Sequence, residues 1–292
     1  MILFTLGLLA SLDSVAVRHI EVAPGEVLRT TVIGSGEPVV LIPGIFGGAY
    51  GYRKVTGPLV QRGYQCIVIE PLGYGRSSHP PKADYSFTAQ TRRVKLALEQ
   101  LGITEALFIA NSTGASIAMR LAIAHPEMVR GILSIDGGPV ESAATPGMKK
   151  ALRMGSFITK LAVNESKLRH DVRKEIVRNS GDTTWVTPRV IREYTAGQAA
   201  DVDGAIDAFR SMSKSKEAES LQDQLHEIRV PVRLLVGGVE HPSGVKEDER
   251  ELLEEKIPDF SMESVPGAGQ FVQEEQPDKV LKALGELDQA TD

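Results

Sequence analysis

Strand-like apolar runs alternate with helical patterns along most of the chain, and this alternation constrains the fold more than any other feature. Such an order favours a mostly parallel sheet with helices on both faces, which is an α/β fold. The first two runs are joined by a short turn containing Pro24 and Gly25, which predicts an antiparallel hairpin at the sheet edge. The predicted strands are "HIEVA", "LRTTVIG", "PVVLIPG", "QCIVIEP", "EALFIAN", "RGILSID", "VRLLVGG" and "FSMESVP".

One long interval, residues 139–228, contains no convincing strand. It carries helical patterns such as "MKKALRMGSFITKLA" and "VDGAIDAFRSM", so it is predicted to be a helical cap packed over the sheet. The α/β core is then residues 18–138 and 229–292, preceded by an extension, residues 1–17. Helices of the core are predicted at 51–62, 86–101, 114–125, 246–256 and 276–287.

Composition excludes several classes of partner. The 292 residues are 42% hydrophobic and 24% charged, which suits one large globular domain with an insertion. A net charge of −5 gives no reason to expect nucleic acid as a partner. Cys66 is the single cysteine, which excludes an intrachain disulfide and a multi-cysteine metal site. We predict no metal and no cofactor, and the sequence favours no particular oligomeric state.

The N-terminus begins with the apolar run "MILFTLGLLA", and "SVA" at 14–16 resembles a signal-peptide cleavage site. No Lys or Arg precedes the run, since the first basic residue is Arg18. A cytoplasmic location is therefore preferred. The alternative is export, with residues 1–16 removed and a mature chain that starts near Val17. The run is too short to span a bilayer.

The segment "LFIANSTGASIAMRLAIAHPEMVRGILSIDGG" carries the chemistry. A buried strand runs into Ser112, then into Gly114 and Ala115, and then into a helix. A serine on such a tight turn has its hydroxyl raised above the sheet edge, and small neighbours let strand and helix approach. Together with "LIPGIFGG", "EPLGYGRSSHP" and "VPGAG", this resembles the α/β-hydrolase superfamily, specifically esterase-like and lyase-like members with a helical cap. The resemblance covers about residues 25 to 288.

The resemblance implies roles for individual residues. Ser112 matches the nucleophile, although Ala110 stands where the family usually has glycine. The backbone N–H groups of Ile45 and Thr113 match the oxyanion hole, with Pro43 in place of the usual loop histidine. Such donors contribute about 3–4 kcal/mol each when they face developing charge.

Two carboxylates match the acid of the family's triad. Glu240 in "VGGVEHP" is preferred, because the family usually places its acid after this strand. Asp136, at the end of the previous strand, is the alternative, because some members place the acid there. An aspartate that caps the loop after a strand is a common structural feature, which favours Glu240.

The family's closing motif carries histidine where this chain has Gln270, in "GAGQFVQEEQP". An amide neither accepts nor releases a proton near neutral pH, so Gln270 can hold Ser112 but cannot be its general base. His241 and His79 are the candidate substitute bases, although an ordinary loop histidine is the preferred interpretation of both.

Three functions remain open. The first is a serine hydrolase that acts on an ester, a thioester or a related acyl substrate with a degenerate triad. The second is a non-hydrolytic binding protein, and the third is a cyclase or lyase that uses the oxyanion hole without acylation. The ligand is predicted to be a small acyl or hydrophobic molecule under the cap.

A basic stretch of the cap raises the question of a membrane partner. Residues 149–178 carry nine Lys or Arg against three acidic residues, a net +6. An acidic lipid surface could bind such a stretch, but solvated helix faces are the preferred interpretation, so membrane contact is not our first expectation.

Overall fold

The computed structural model describes residues 14–45, 47–142 and 164–291. The helical stretch predicted at "MKKALRMGSFITKLA" and the first thirteen residues of the predicted extension lie outside these ranges. Within them, eight strands form one sheet in the order β1-β2-β4-β3-β5-β6-β7-β8. The strands are β1 Val15–Ala23, β2 Glu26–Ile33, β3 Glu37–Ile42, β4 Tyr64–Ile69, β5 Ala106–Asn111, β6 Val129–Ile135, β7 Val232–Gly237 and β8 Phe260–Val265.

The sheet has the predicted α/β architecture. β1 and β2 form the predicted antiparallel hairpin at one edge, and β2 pairs with β4 antiparallel. Every pair from β4 through β3 to β8 is parallel. β1 begins at Val15, which pairs with Ile33, so the end of the predicted extension is part of this hairpin.

Helices cover both faces of the sheet. In β3, Val40 and Ile42 point into one apolar cluster while Val39 and Leu41 point into the other, as the two-residue period of a strand requires. The helices of the core are α1 Arg53–Gln61, α2 Phe87–Gln100, α3 Thr113–Ala124, α9 Glu247–Lys256, α10 Val272–Glu275 and α11 Pro277–Thr291. Side chains of α2, α3 and α9 pack on the first face, and those of α1 and α11 pack on the second.

The described part of the interval 139–228 contains helices and no strand. These are α4 Glu165–Arg178, α5 Pro188–Tyr194, α6 Ala196–Ala200, α7 Val202–Lys214 and α8 Leu221–Gln224. Apolar side chains of α4 and α5 form their own cluster with Trp185. The Trp185 ring lies 5.4 Å from that of Phe271, which belongs to the core and directly follows Gln270. In the ranges that the structure describes, no helix is long and apolar enough to cross a membrane.

Candidate active site

Ser112 lies at the turn between β5 and α3. Its φ of 52° and ψ of −123° are rare for a residue other than glycine, and such strain is typical of a nucleophile held on a strand-to-helix elbow. The turn is crowded on both sides. A Cβ at Gly114 would lie 2.5 Å from the carbonyl oxygen of Ile42, and one at Gly137 would lie 2.5 Å from that of Ser112. These two glycines therefore let the serine occupy its position.

Gln270 meets the serine directly. Its Nε2 donates a hydrogen bond to Ser112 Oγ at 2.9 Å, and the residue is buried. Asn111, the last residue of β5, donates from Nδ2 to the backbone oxygens of Ile135 and Gln270 and so holds the two sides of the site together. The structure thus brings Ser112 and Gln270 into contact, with an amide where a triad has imidazole.

His241 and Asp136 form a buried pair beside this elbow. Asp136 follows β6, has φ 47° and is 2% exposed. His241 Nε2 donates to Asp136 Oδ2, and Nδ1 donates to the carbonyl oxygen of Val239 at 2.7 Å. Burial lowers the pKa of His241, but the hydrogen bond and charge of Asp136 and the Val239 carbonyl outweigh it, so the pKa is raised. Both ring nitrogens of His241 are already occupied by oxygen atoms, so neither is free to accept the proton of Ser112.

The two candidate acids are placed differently. Sequence reasoning preferred Glu240, which is exposed to solvent in the structure. The structure instead brings the alternative, Asp136, to a histidine. The second oxygen of Asp136, Oδ1, is buried and has no hydrogen-bond partner among the described residues. Of the two candidate acids, Asp136 is therefore the one that is buried and bonded to a histidine.

The segment predicted to supply an oxyanion hole packs against the serine. A Cβ at Gly44 would lie 3.1 Å from Ser112 Cβ, so the loop after β3 touches the elbow at this glycine. Thr113 is the first residue of α3 and is nearly buried. Among the described residues, no acceptor meets the backbone N–H of Ile45 or of Thr113.

His79, the other candidate substitute base, lies beside Asp201 in the helical interval 164–228. Its side chain is nearly buried, and Nδ1 is 3.8 Å from Asp201 Oδ2. Burial lowers the pKa of His79, although the charge of Asp201 acts in the opposite direction. The structure therefore places His79 next to Asp201, the residue that precedes α7.

A short segment after α4, residues 179–182, is bonded to the loop that carries Gln270. The carbonyl of Asn179 accepts from Gln270 N at 2.8 Å, and Asn179 Oδ1 accepts from Ser243 N at 3.0 Å. The Glu275 carboxylate accepts from the backbone N–H groups of Gly181, at 2.8 Å, and Gly269, at 3.2 Å. The sequence pattern does not predict that Asn179 and Glu275 bond the Gln270 loop. Glu275 belongs to the closing motif, which is a sequence signal that it lies near Gln270. Asn179 only follows a helix, and this position carries no such signal.

Glu274 lies under the same loop. Its side chain is fully buried, Arg53 donates to its Oε1, and the Tyr194 hydroxyl donates to the same oxygen at 2.9 Å. Burial raises the pKa of Glu274, and Arg53 and Tyr194 act against it. Arg53 also stacks on the ring of Tyr50, with its guanidinium carbon 4.3 Å from the centroid. This cluster ties α1, α5 and α10 together.

A cavity of about 250 Å³ opens beside the edge hairpin, lined by residues such as Val17, Arg29, Glu70 and Tyr50. It includes neither Ser112 nor Gln270. The buried Glu70 carboxylate beside it accepts hydrogen bonds from Arg29 and from the backbone of Ala49 and Arg76. These contacts join strands and loops of the core. Because Ser112 and Gln270 do not line the cavity, it is separate from the site at Ser112.

The sheet order and the tight strand-to-helix turn at Ser112, between β5 and α3, are those of an α/β-hydrolase fold. A family model described as alpha/beta hydrolase fold matches residues 37–277, and the chain belongs to this family.

Proteins similar to this chain include a lipase and epoxide hydrolases. The chain is similar to the mouse (Mus musculus) sn-1-specific diacylglycerol lipase ABHD11, with 24% identity over 84% of this chain and 79% of the lipase. It is 30% identical to bifunctional epoxide hydrolase 2 of Sus scrofa over 43% of this chain, a match that spans only 23% of that protein. A solved structure of the epoxide hydrolase CorEH superposes with a TM-score of 0.77 over 94% of this chain and 98% of that one, at 18% identity.

Proposed function

We propose that this chain takes an ester, a thioester or a related acyl compound at Ser112 and hydrolyses it slowly, for lack of a general base. Ser112 Oγ would lose its proton to solvent hydroxide and attack the carbonyl carbon, with the N–H groups of Ile45 and Thr113 as donors to the developing oxyanion. The intermediate would then collapse with cleavage of the bond to the alcohol or thiol, which leaves, and water would hydrolyse the acyl-serine ester to release the acid. The ligand would lie between the core and the cap.

The observation that carries this proposal is the bond from Gln270 Nε2 to the serine oxygen. It occurs at a strained elbow of the kind that presents a nucleophile, but its partner cannot take a proton. In a serine protease, loss of the histidine lowers turnover by about 10⁶-fold. The relative described as a diacylglycerol lipase supports an acyl ester as the substrate class.

Non-hydrolytic binding of the same ligands is the second candidate. It is favoured by His241, whose two nitrogens both donate to oxygens and leave no imidazole for Ser112. A cyclase or lyase would use the same polar pair to orient a substrate without acylation.

Labelling with a fluorophosphonate, followed by intact-mass analysis, tests the proposal without knowledge of the substrate. We expect slow labelling at neutral pH that accelerates about tenfold per pH unit, because the alkoxide fraction of a serine without a base follows hydroxide. Ser112→Ala is the control and should remain unlabelled.

Two results would contradict the proposal. Rapid stoichiometric labelling at pH 7 would show that another base serves, and His241→Ala and His79→Ala would identify it. No labelling at any pH at which the protein stays folded would favour the binding candidate.

A further inference from the structure

The cavity beside the edge hairpin has an apolar floor. β1 and β2 pair so that Val15 lies opposite Ile33 and Val17 lies opposite Thr31, and all four residues line the cavity. Val15 is 62% exposed and Val17 is 46% exposed, so the described part of the chain leaves this floor open. The cavity volume is about 250 Å³, and an engineered apolar cavity of about 150 Å³ already holds benzene. A substituted ring therefore fits here.

Three arginines line the same cavity, and each uses only part of its guanidinium. Arg29 and Arg53 donate hydrogen bonds from Nη1 alone, and Arg76 donates from Nη2 alone. The Nε atom and the other terminal nitrogen of each guanidinium have no acceptor among the residues that the structure describes. Arg29 precedes Thr31 by two positions in β2 and therefore lies on the same face as the floor. A planar guanidinium with unused N–H groups suits a carboxylate, which it binds through two parallel hydrogen bonds.

The ion pairs at this cavity carry an excess of positive charge. Four cations and three carboxylates form them, namely Arg29, Arg53, Lys54, Arg76, Glu70, Glu193 and Glu274. Four positive charges less three negative charges leave +1, which favours an anion over a cation or a neutral molecule. Glu70 is the buried carboxylate of the lining, and it already accepts hydrogen bonds from Arg29 and from the backbone N–H groups of Ala49 and Arg76. Donors of the protein therefore balance the charge of Glu70.

We propose that this cavity is a ligand site of its own and that it binds a compact aromatic carboxylate. The ring lies on Val15 and Val17, and the carboxylate accepts from the unused N–H groups of Arg29 and of the neighbouring arginines. The site goes beyond the proposed function and does not depend on it, because neither Ser112 nor Gln270 lines the cavity.

The test is calorimetric titration of the whole chain with benzoate, and with benzamide as the uncharged ligand of the same shape. We expect benzoate to bind at least about tenfold more tightly than benzamide, because hydrogen bonds between ionised partners are the stronger ones. Arg29→Lys keeps a positive charge beside Glu70 but loses the planar fork, so it should weaken benzoate binding about tenfold.

Two tryptophan variants of β1 locate the binding. Val17→Trp places a large ring on the floor of the cavity and should abolish benzoate binding. Ala16→Trp is the matched control, because Ala16 is also exposed but lies on the other face of the strand, and this variant should bind benzoate like the parent chain. Ser112→Ala should also bind benzoate like the parent chain. Thermal melts identify any variant that fails to fold, and Val17→Phe then replaces Val17→Trp.

Any of four results would overturn the inference. The first is the absence of benzoate binding by the parent chain, and the second is equal binding of benzoate and benzamide. The third is undiminished binding by Val17→Trp or by Arg29→Lys. The fourth is loss of binding in folded Ala16→Trp or Ser112→Ala, and loss in Ser112→Ala would place benzoate at the serine instead of in the cavity.

Discussion

Restoring the missing base is the sharpest perturbation of this site. In Gln270→His, an imidazole replaces an amide whose nitrogen is already 2.9 Å from Ser112 Oγ. A positioned general base contributes about 10²–10⁴-fold to rate, roughly 3–5 kcal/mol of activation free energy. We therefore expect hydrolysis of a small activated ester to rise at least about 100-fold.

The structure also indicates which carboxylate would orient the new histidine. Asp136 has one oxygen bonded to His241 and the other, Oδ1, buried and without a partner among the described residues. Glu240 is exposed. Asp136→Asn in the Gln270→His background should therefore remove most of the gain, because a triad with asparagine in place of its acid loses about 10⁴ in turnover. Glu240→Gln, the matched control, should leave the gain almost intact.

The assay is steady-state hydrolysis of p-nitrophenyl acetate by the parent chain, by Gln270→His and by its three double variants, with thermal melts to establish folding. Ser112→Ala added to Gln270→His should abolish the gain, which separates it from catalysis by a bare imidazole. Two outcomes would refute the reasoning. A folded Gln270→His variant without any gain would mean that the oxyanion loop or the helices above it do not support acyl transfer. An equal loss of the gain in the Asp136→Asn and Glu240→Gln variants would mean that Asp136 does not orient the new histidine.

Three further predictions concern stability. Arg53→Ala leaves the buried Glu274 with Lys54, 3.9 Å from its Oε2, as the remaining cation and should lower the free energy of unfolding by up to about 3 kcal/mol in urea denaturation. The raised pKa of His241 means that its ion pair stabilises the fold fully below about pH 6.5. The deficit of His241→Gln relative to the parent, measured by urea denaturation from pH 6 to 9, should therefore shrink as pH rises through that pKa. Gly114→Ala should destabilise the chain in thermal melts because its Cβ meets backbone, whereas Gly285→Ala, in an open part of α11, should stabilise it by about 0.5–1 kcal/mol.

The sheet was predictable because a parallel strand buried on both faces must be apolar along its whole length. β3 and β5 show this, since Val39–Ile42 and Ala106–Asn111 are buried throughout. The elbow was predictable because only small residues fit between β5 and α3. The position of Gln270 followed from the residues around it in the closing motif.

The pair of Asp136 and His241 was not predictable in the same way. The two residues are 105 positions apart, and their contact depends on how the loops after β6 and β7 turn. A sequence pattern carries such loop conformations only weakly. Asn179 is a harder case still, because it holds Gln270 through its backbone carbonyl, and every residue type has that group.

The bonds from residues 179–182 to the Gln270 loop bear on how this protein can change over evolutionary time. A helical segment that is bonded to the Gln270 loop cannot be exchanged independently of that loop. Any substitution that shifts the end of α4 to suit a different ligand also displaces the peptide that positions residue 270. Selection for a different ligand shape and selection for the position of residue 270 therefore act on the same segment. A lineage that adapted to a new ligand would also move residue 270.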